Sequence, residues 1–123
     1  MAESIVGGRA FYFALDVLKL YQVMKNQNEF VISKQLLRCS TSIGANIEEA
    51  SAAFSRKDFV VKISIASKEA RETRYWLKLL DESKMVKDFD FEELINEVNE
   101  IIRMLTKIVK TIQNDAQNTN SES

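Results

Sequence analysis

Histidine and proline are missing from this chain, cysteine occurs once, and glycine occurs only at positions 7, 8 and 44. Each absence closes off a chemistry or an architecture. Without histidine there is no imidazole general base, no Ser–His or Cys–His pair, and no imidazole ligand for zinc or iron. A di-iron bundle built on Glu-x-x-His pairs is excluded by the same lack. Without proline, and with so little glycine, the chain is short of the turn residues that β-hairpins need. The lone thiol, Cys39, has no intrachain partner, so a disulfide framework is excluded and a buried structural thiol is expected. Long apolar runs are lacking too. The N-terminal "MAESIVGGRAFYFALDVLKLY" has no basic region before its apolar part and is interrupted by Asp16. It reads as neither signal peptide nor membrane span, and a cytoplasmic location follows as the default.

What is present points to one helical domain. The 123 residues are 46% apolar and 28% charged, the balance of a globular chain able to bury one core. Leu94, Val98, Ile101, Leu105, Ile108 and Ile112 recur at spacings of four and three, which predicts a helix near 91–114 with Asp90 as its cap. Phe59, Ile63, Ala66, Ala70, Thr73, Leu77 and Leu80 do the same for 56–83, started by Ser55 and Asp58. A first helix near 9–28 is expected to turn Ala10, Ala14, Val17, Tyr21 and Met24 inward, with Phe11, Leu15 and Leu18 beside them. A second, near 33–53, starts at Ser33 and carries Leu36, Ile43, Ile47, Ala50 and Phe54. Short connections make neighbours antiparallel, so the fold class is all-α: an up-down-up-down four-helix bundle over residues 1–112. The polar run "QNDAQNTNSES" is expected to leave 115–123 as a disordered tail.

The net charge of −1 conceals a segregation. Residues 51–80 carry seven basic and three acidic groups, whereas residues 81–123 carry five basic and ten acidic. On the third helix Lys57, Lys68, Arg71 and Lys78 fall in one broad sector, a candidate surface for RNA or an acidic partner. Glu69 and Glu72 are expected to interleave that row, and the pI of about 5.6 argues against a strong nucleic-acid binder. The bland alternative is that basic and acidic helices simply complement each other. A surplus of Phe54, Phe59, Tyr75, Trp76 and Leu79 cannot all point into one core, which argues for a subunit contact.

One stretch resists the ordinary reading. On the second helix Arg38, Ser42, Asn46 and Glu49 form a polar line at spacings of four, four and three, with Gly44 between. Ser, Gly and Asn are poor helix formers, and a solvated face normally favours Lys, Glu, Gln or Ala. Such residues suit a closely packed contact or a side-chain network, and Glu49 is expected to meet a cation on another helix or subunit.

The segments "LLRCSTSIGANIEEA" and "IASKEARETRYWLKLL" closely resemble the bacterial four helix bundle protein family, also called 23S rRNA-intervening sequence proteins. The family pattern of Arg, Ser-Ile, Asn-Ile-x-Glu-Gly, a downstream Phe, Ile-Ala and a Glu before aromatic or leucine positions is matched by Arg38, Ser42–Ile43, Asn46–Ile47–Glu48–Glu49, Phe59, Ile65–Ala66 and Glu72. Ala50 stands where the family commonly has Gly. The resemblance spans about residues 8–112. It implies an up-down-up-down bundle, a homopentameric ring, and no enzymatic activity. Some relatives are encoded within sequences inserted in large-subunit ribosomal RNA genes, and the similar accessory variability protein of diversity-generating retroelements binds a reverse transcriptase and nucleic acid. It further implies that Arg38, Ser42, Asn46, Glu49 and Glu72, with Trp76 alongside, belong to helix-packing or oligomer contacts. The leading expectation is therefore a non-enzymatic homo-oligomeric binding module for RNA or a nucleic-acid-processing protein. An oligomeric protein scaffold without a nucleic-acid role is the alternative. No cofactor, no metal and no membrane association are expected.

Overall fold

The computed structural model describes residues 2–122, with side chains from 5 to 117. Four helices follow one another: α1 (Ala2–Asn26), α2 (Ile32–Ala50), α3 (Arg56–Ser83) and α4 (Glu92–Glu122). Each packs on its sequence neighbour and α1 closes against α4, while among the described residues the backbones of the diagonal pairs α1/α3 and α2/α4 stay apart. This is a square antiparallel bundle, with α1 and α3 on opposite corners.

The buried stripes explain the elements. On α3 the six residues Ile63, Ala66, Ala70, Thr73, Leu77 and Leu80 are buried, at the spacing the sequence shows. Leu94, Val98, Ile101 and Leu105 do the same on α4, and Leu36, Ile43, Ile47 and Ala50 on α2. Full burial of a Leu or Ile of this kind contributes about 2 kcal/mol. Small residues let the backbones approach: a Cβ at Gly44 would lie 3.7 Å from the Ala10 Cβ of α1.

Some local expectations are corrected. The inward face of α1 is Val6, Ala10, Phe13, Val17, Leu20 and Met24. Ala14 and Tyr21 are only half-buried, and Phe11, Leu15 and Leu18 are exposed. The helix is apolar on more than one side, so two stripes compete in its sequence. Phe54 lies beyond the end of α2 and is fully exposed, while Phe59 and Trp76 pack on the core.

α2 is not capped by Ser33. Glu29 accepts the backbone N–H of Ile32 and of Ser33, both at 2.8 Å, which places a carboxylate on the positive end of the helix. Ser55 caps α3 as expected, accepting from the Asp58 N–H at 3.1 Å, and Asp90 accepts from Glu92 at 3.0 Å at the start of α4. With no glycine available in the connections, Asn28, Lys84 and Asp88 take the left-handed backbone at φ 62°, 58° and 59°. α4 continues through 115–122, where the polar run suggests a tail. No Gly or Pro interrupts it there, and Gln113, Ala116 and Gln117 are good helix formers. Ser123 lies outside the described residues.

Candidate functional surfaces

The polar line of α2 is used inside the bundle. Arg38, at the α2/α3 seam, reaches the Glu69 carboxylate at 3.2 Å and also pairs with Glu72. Glu72 in turn accepts the indole N–H of Trp76 at 3.0 Å. That bond, with the guanidinium of Arg38 beside it, holds the Glu72 carboxyl below the usual carboxylate range. Further along, Lys62 of α3 donates to Glu49 at 2.9 Å. Asn46, only 9% exposed, turns back along its own helix and donates to the Ser42 carbonyl at 2.8 Å and the Ser42 hydroxyl at 3.0 Å. Short polar residues sit here because the seam is narrow, and each buried polar atom then finds a partner nearby.

Thr73 and Cys39 were both legible as buried positions, but their contact across this seam carried no sequence signal. Thr73 donates to the Glu69 carbonyl at 2.8 Å and lies 3.2 Å from the Cys39 sulfur. Burial pushes the Cys39 thiol up to about 11, so it is neither a nucleophile nor a ready metal ligand at neutral pH. The Glu69–Glu72 pair shows only that acids three apart face one way, and their cation lies on another helix.

Because Glu69 and Glu72 turn toward α2, they do not interleave the basic row of α3. Lys57, Lys68, Arg71 and Lys78 are all exposed, and among the described residues none has an ion-pair partner. At 3.6 residues per turn they occupy a sector of about 80°. Tyr75, 59% exposed, stands among them, and exposed Val61 and Leu79 flank them.

The opposite corner has a different character. The outer side of α1 shows Phe11 (61% exposed) and Tyr12 (68%) with Leu15 and Leu18. Beside this strip an open groove of about 1160 Å³ runs between α1 and α4. Its walls carry five carboxylates, on Asp16, Asp90, Glu93, Glu97 and Glu100, against two cations, Arg9 and Lys19. Arg9 is already held by Glu97, its Nε donating at 3.0 Å. The acidic excess of α4 is legible in the sequence, and its convergence on α1 is not.

Among the described residues no three Cys, Asp or Glu side chains gather as a metal site, and no helix is long and apolar enough to cross a membrane. Two exposed surfaces stand out: a cationic aromatic face on α3 and an acidic apolar face on α1 and α4.

Comparison with known proteins agrees with the fold and the motif. The family model of the 23S rRNA-intervening sequence protein matches residues 2–107. A crystal structure of a protein of unknown function from the S23 ribosomal protein family of Bacteroides thetaiotaomicron VPI-5482 is similar, with a TM-score of 0.83 and 44% identity. The match covers 89% of this chain and 99% of that one. No curated protein matches. The chain belongs to the 23S rRNA-intervening sequence protein family.

Proposed function

We propose that the chain is a non-enzymatic, self-assembling binding module that works through its outer helix faces. One observation carries this reading. The core is complete within the four helices, yet two apolar faces of opposite charge stay uncovered on opposite corners. Exposed aromatic and aliphatic groups in such numbers favour association. Two different faces on opposite sides give a head-to-tail contact, which closes into a ring when the rotation between copies allows. Five copies is the number that the family resemblance implies. The lack of histidine and the pairing of Glu49, Glu69 and Glu72 with cations support a binding role over a catalytic one.

A second reading has its own support. Lys57, Lys68, Arg71 and Lys78 around exposed Tyr75 are the ingredients of a single-strand RNA surface, with phosphates on the cations and a base on the ring. Against it stand the acidic groove and the acidic pI, which repel a polyanion from much of the remaining surface.

Solution mass by light scattering, alone and with mixed short RNAs at low salt, tests both readings. A multimer that ignores RNA is the expected result. A multimer that gains RNA mass favours the second reading, and a single chain of 14.1 kDa overturns self-assembly.

A further inference from the structure

We infer that the outer face of α3 on one copy seats in the α1/α4 groove of the next, so that Lys68 and Arg71 meet Asp16 and Glu93 around an apolar centre. This rests on the self-assembly reading and names its contact. The charges decide the pairing. A groove set against its own copy would bring a net −3 against −3, since Arg9 and Lys19 offset two of the five carboxylates, and an α3 face against its own copy would bring the four cations Lys57, Lys68, Arg71 and Lys78 against the same four. Like charges across an interface disfavour both symmetric pairings. The crossed pairing places the cations of α3 against the carboxylates of the groove. It also sets Val61, Tyr75 and Leu79 against Tyr12 and Leu15, so the apolar strip of α3 and the groove side of the α1 strip are covered at once. The α3 cations are free to do this because Glu69 and Glu72 are turned away to Arg38. Glu93 has no partner of its own among the described residues, and Asp16 reaches Lys19 only at 4.0 Å between exposed groups.

Charge reversal in two halves tests the contact. Lys68→Glu with Arg71→Glu inverts one face, and Asp16→Lys with Glu93→Lys inverts the other. Each pair alone is expected to reduce the light-scattering mass from the multimer to one chain. All four changes together restore opposite charges and are expected to return the multimer. All four positions are exposed, so far-UV circular dichroism should stay helical. If a charge variant fails to fold, Leu15→Cys combined with Leu79→Cys supplies an independent reading, since native Cys39 is buried. Disulfide-linked chains are expected only when both new cysteines are present, and a single variant that cross-links to itself overturns the crossed pairing. A wild-type multimer whose mass survives either charge pair, or a fourfold variant that stays a single chain, overturns this contact and leaves self-assembly standing. A monomeric wild type removes both.

Discussion

At the scale of the residue, Glu72 concentrates the most information. It joins α2 to α3 through Arg38 and takes the only indole N–H in the chain. Its carboxyl is held low by Trp76 and Arg38, so it is still charged in the fold at a pH where the unfolded chain has begun to bind a proton. The stabilisation is therefore fully present above the unfolded value, about pH 4.3. It is lost as pH falls through the lower folded value. Glu72→Gln is expected to destabilise at neutral pH, by a margin that stays constant down to about pH 5 and then closes in stronger acid. Urea titrations read from the single tryptophan measure that margin, and a gap unchanged at low pH would show that Glu72 acts by shape alone. Cys39 gives a second residue-scale expectation. With its thiol buried and raised to about 11, alkylation at pH 8 should be slowed at least about a hundredfold in the native protein relative to the chain in denaturant. Rapid native labelling would mean that the α2/α3 seam opens.

At the scale of the element, the buried stripes of α2, α3 and α4 could be read directly because one regularly spaced line dominates each helix, although α3 also carries Val61, Tyr75 and Leu79 on its outer face. α1 could not be read in that way. Phe11, Leu15 and Leu18 compete with Phe13, Val17 and Leu20, and only the position of the neighbouring helices decides which set is buried. The α2 cap was obscured for a related reason: Glu29 lies in the loop, and nothing local shows that the chain folds back far enough for its carboxylate to meet Ile32 and Ser33. Scarcity of glycine has a cost that can be measured here. Lys84 closes α3 in the left-handed region at φ 58° and ψ 21°, where a side chain is strained and glycine is not. Its side chain offers only an exposed pair with Asp81 at 3.8 Å. Lys84→Gly is therefore expected to stabilise the bundle by about 1 kcal/mol, seen as a higher urea midpoint with an unchanged slope. A lower midpoint would mean that the Lys84 side chain outweighs the backbone strain.

At the scale of the whole molecule, the segregation of charge along the sequence becomes a segregation in space, and the bundle topology is what makes it so. Up-down-up-down order puts α1 and α3 on opposite corners, so the basic row and the acidic groove face away from each other. Composition could supply the charges, and only the fold could separate them. Their separation leads to a salt dependence with a definite sign. If the faces join head to tail, exposed opposite charges assist the contact and the apolar centre provides a part that salt does not screen. The screening length falls from about 10 Å at 0.1 M salt to about 3 Å at 1 M. Exposed pairs contribute about 0.2–1 kcal/mol each, so losing two such pairs weakens association by roughly 0.4–2 kcal/mol, a range that includes tenfold in the dissociation constant. Dilution series followed by light scattering at 0.1 M and 1 M sodium chloride should show dissociation beginning at about tenfold higher protein concentration in the stronger salt. The multimer should still form there, because Tyr12, Leu15, Tyr75 and Leu79 lose exposed apolar surface on contact whatever the ionic strength. An assembly indifferent to salt, or strengthened by it, would mean that the copies meet through their apolar strips alone and that the cations of α3 remain available to another partner.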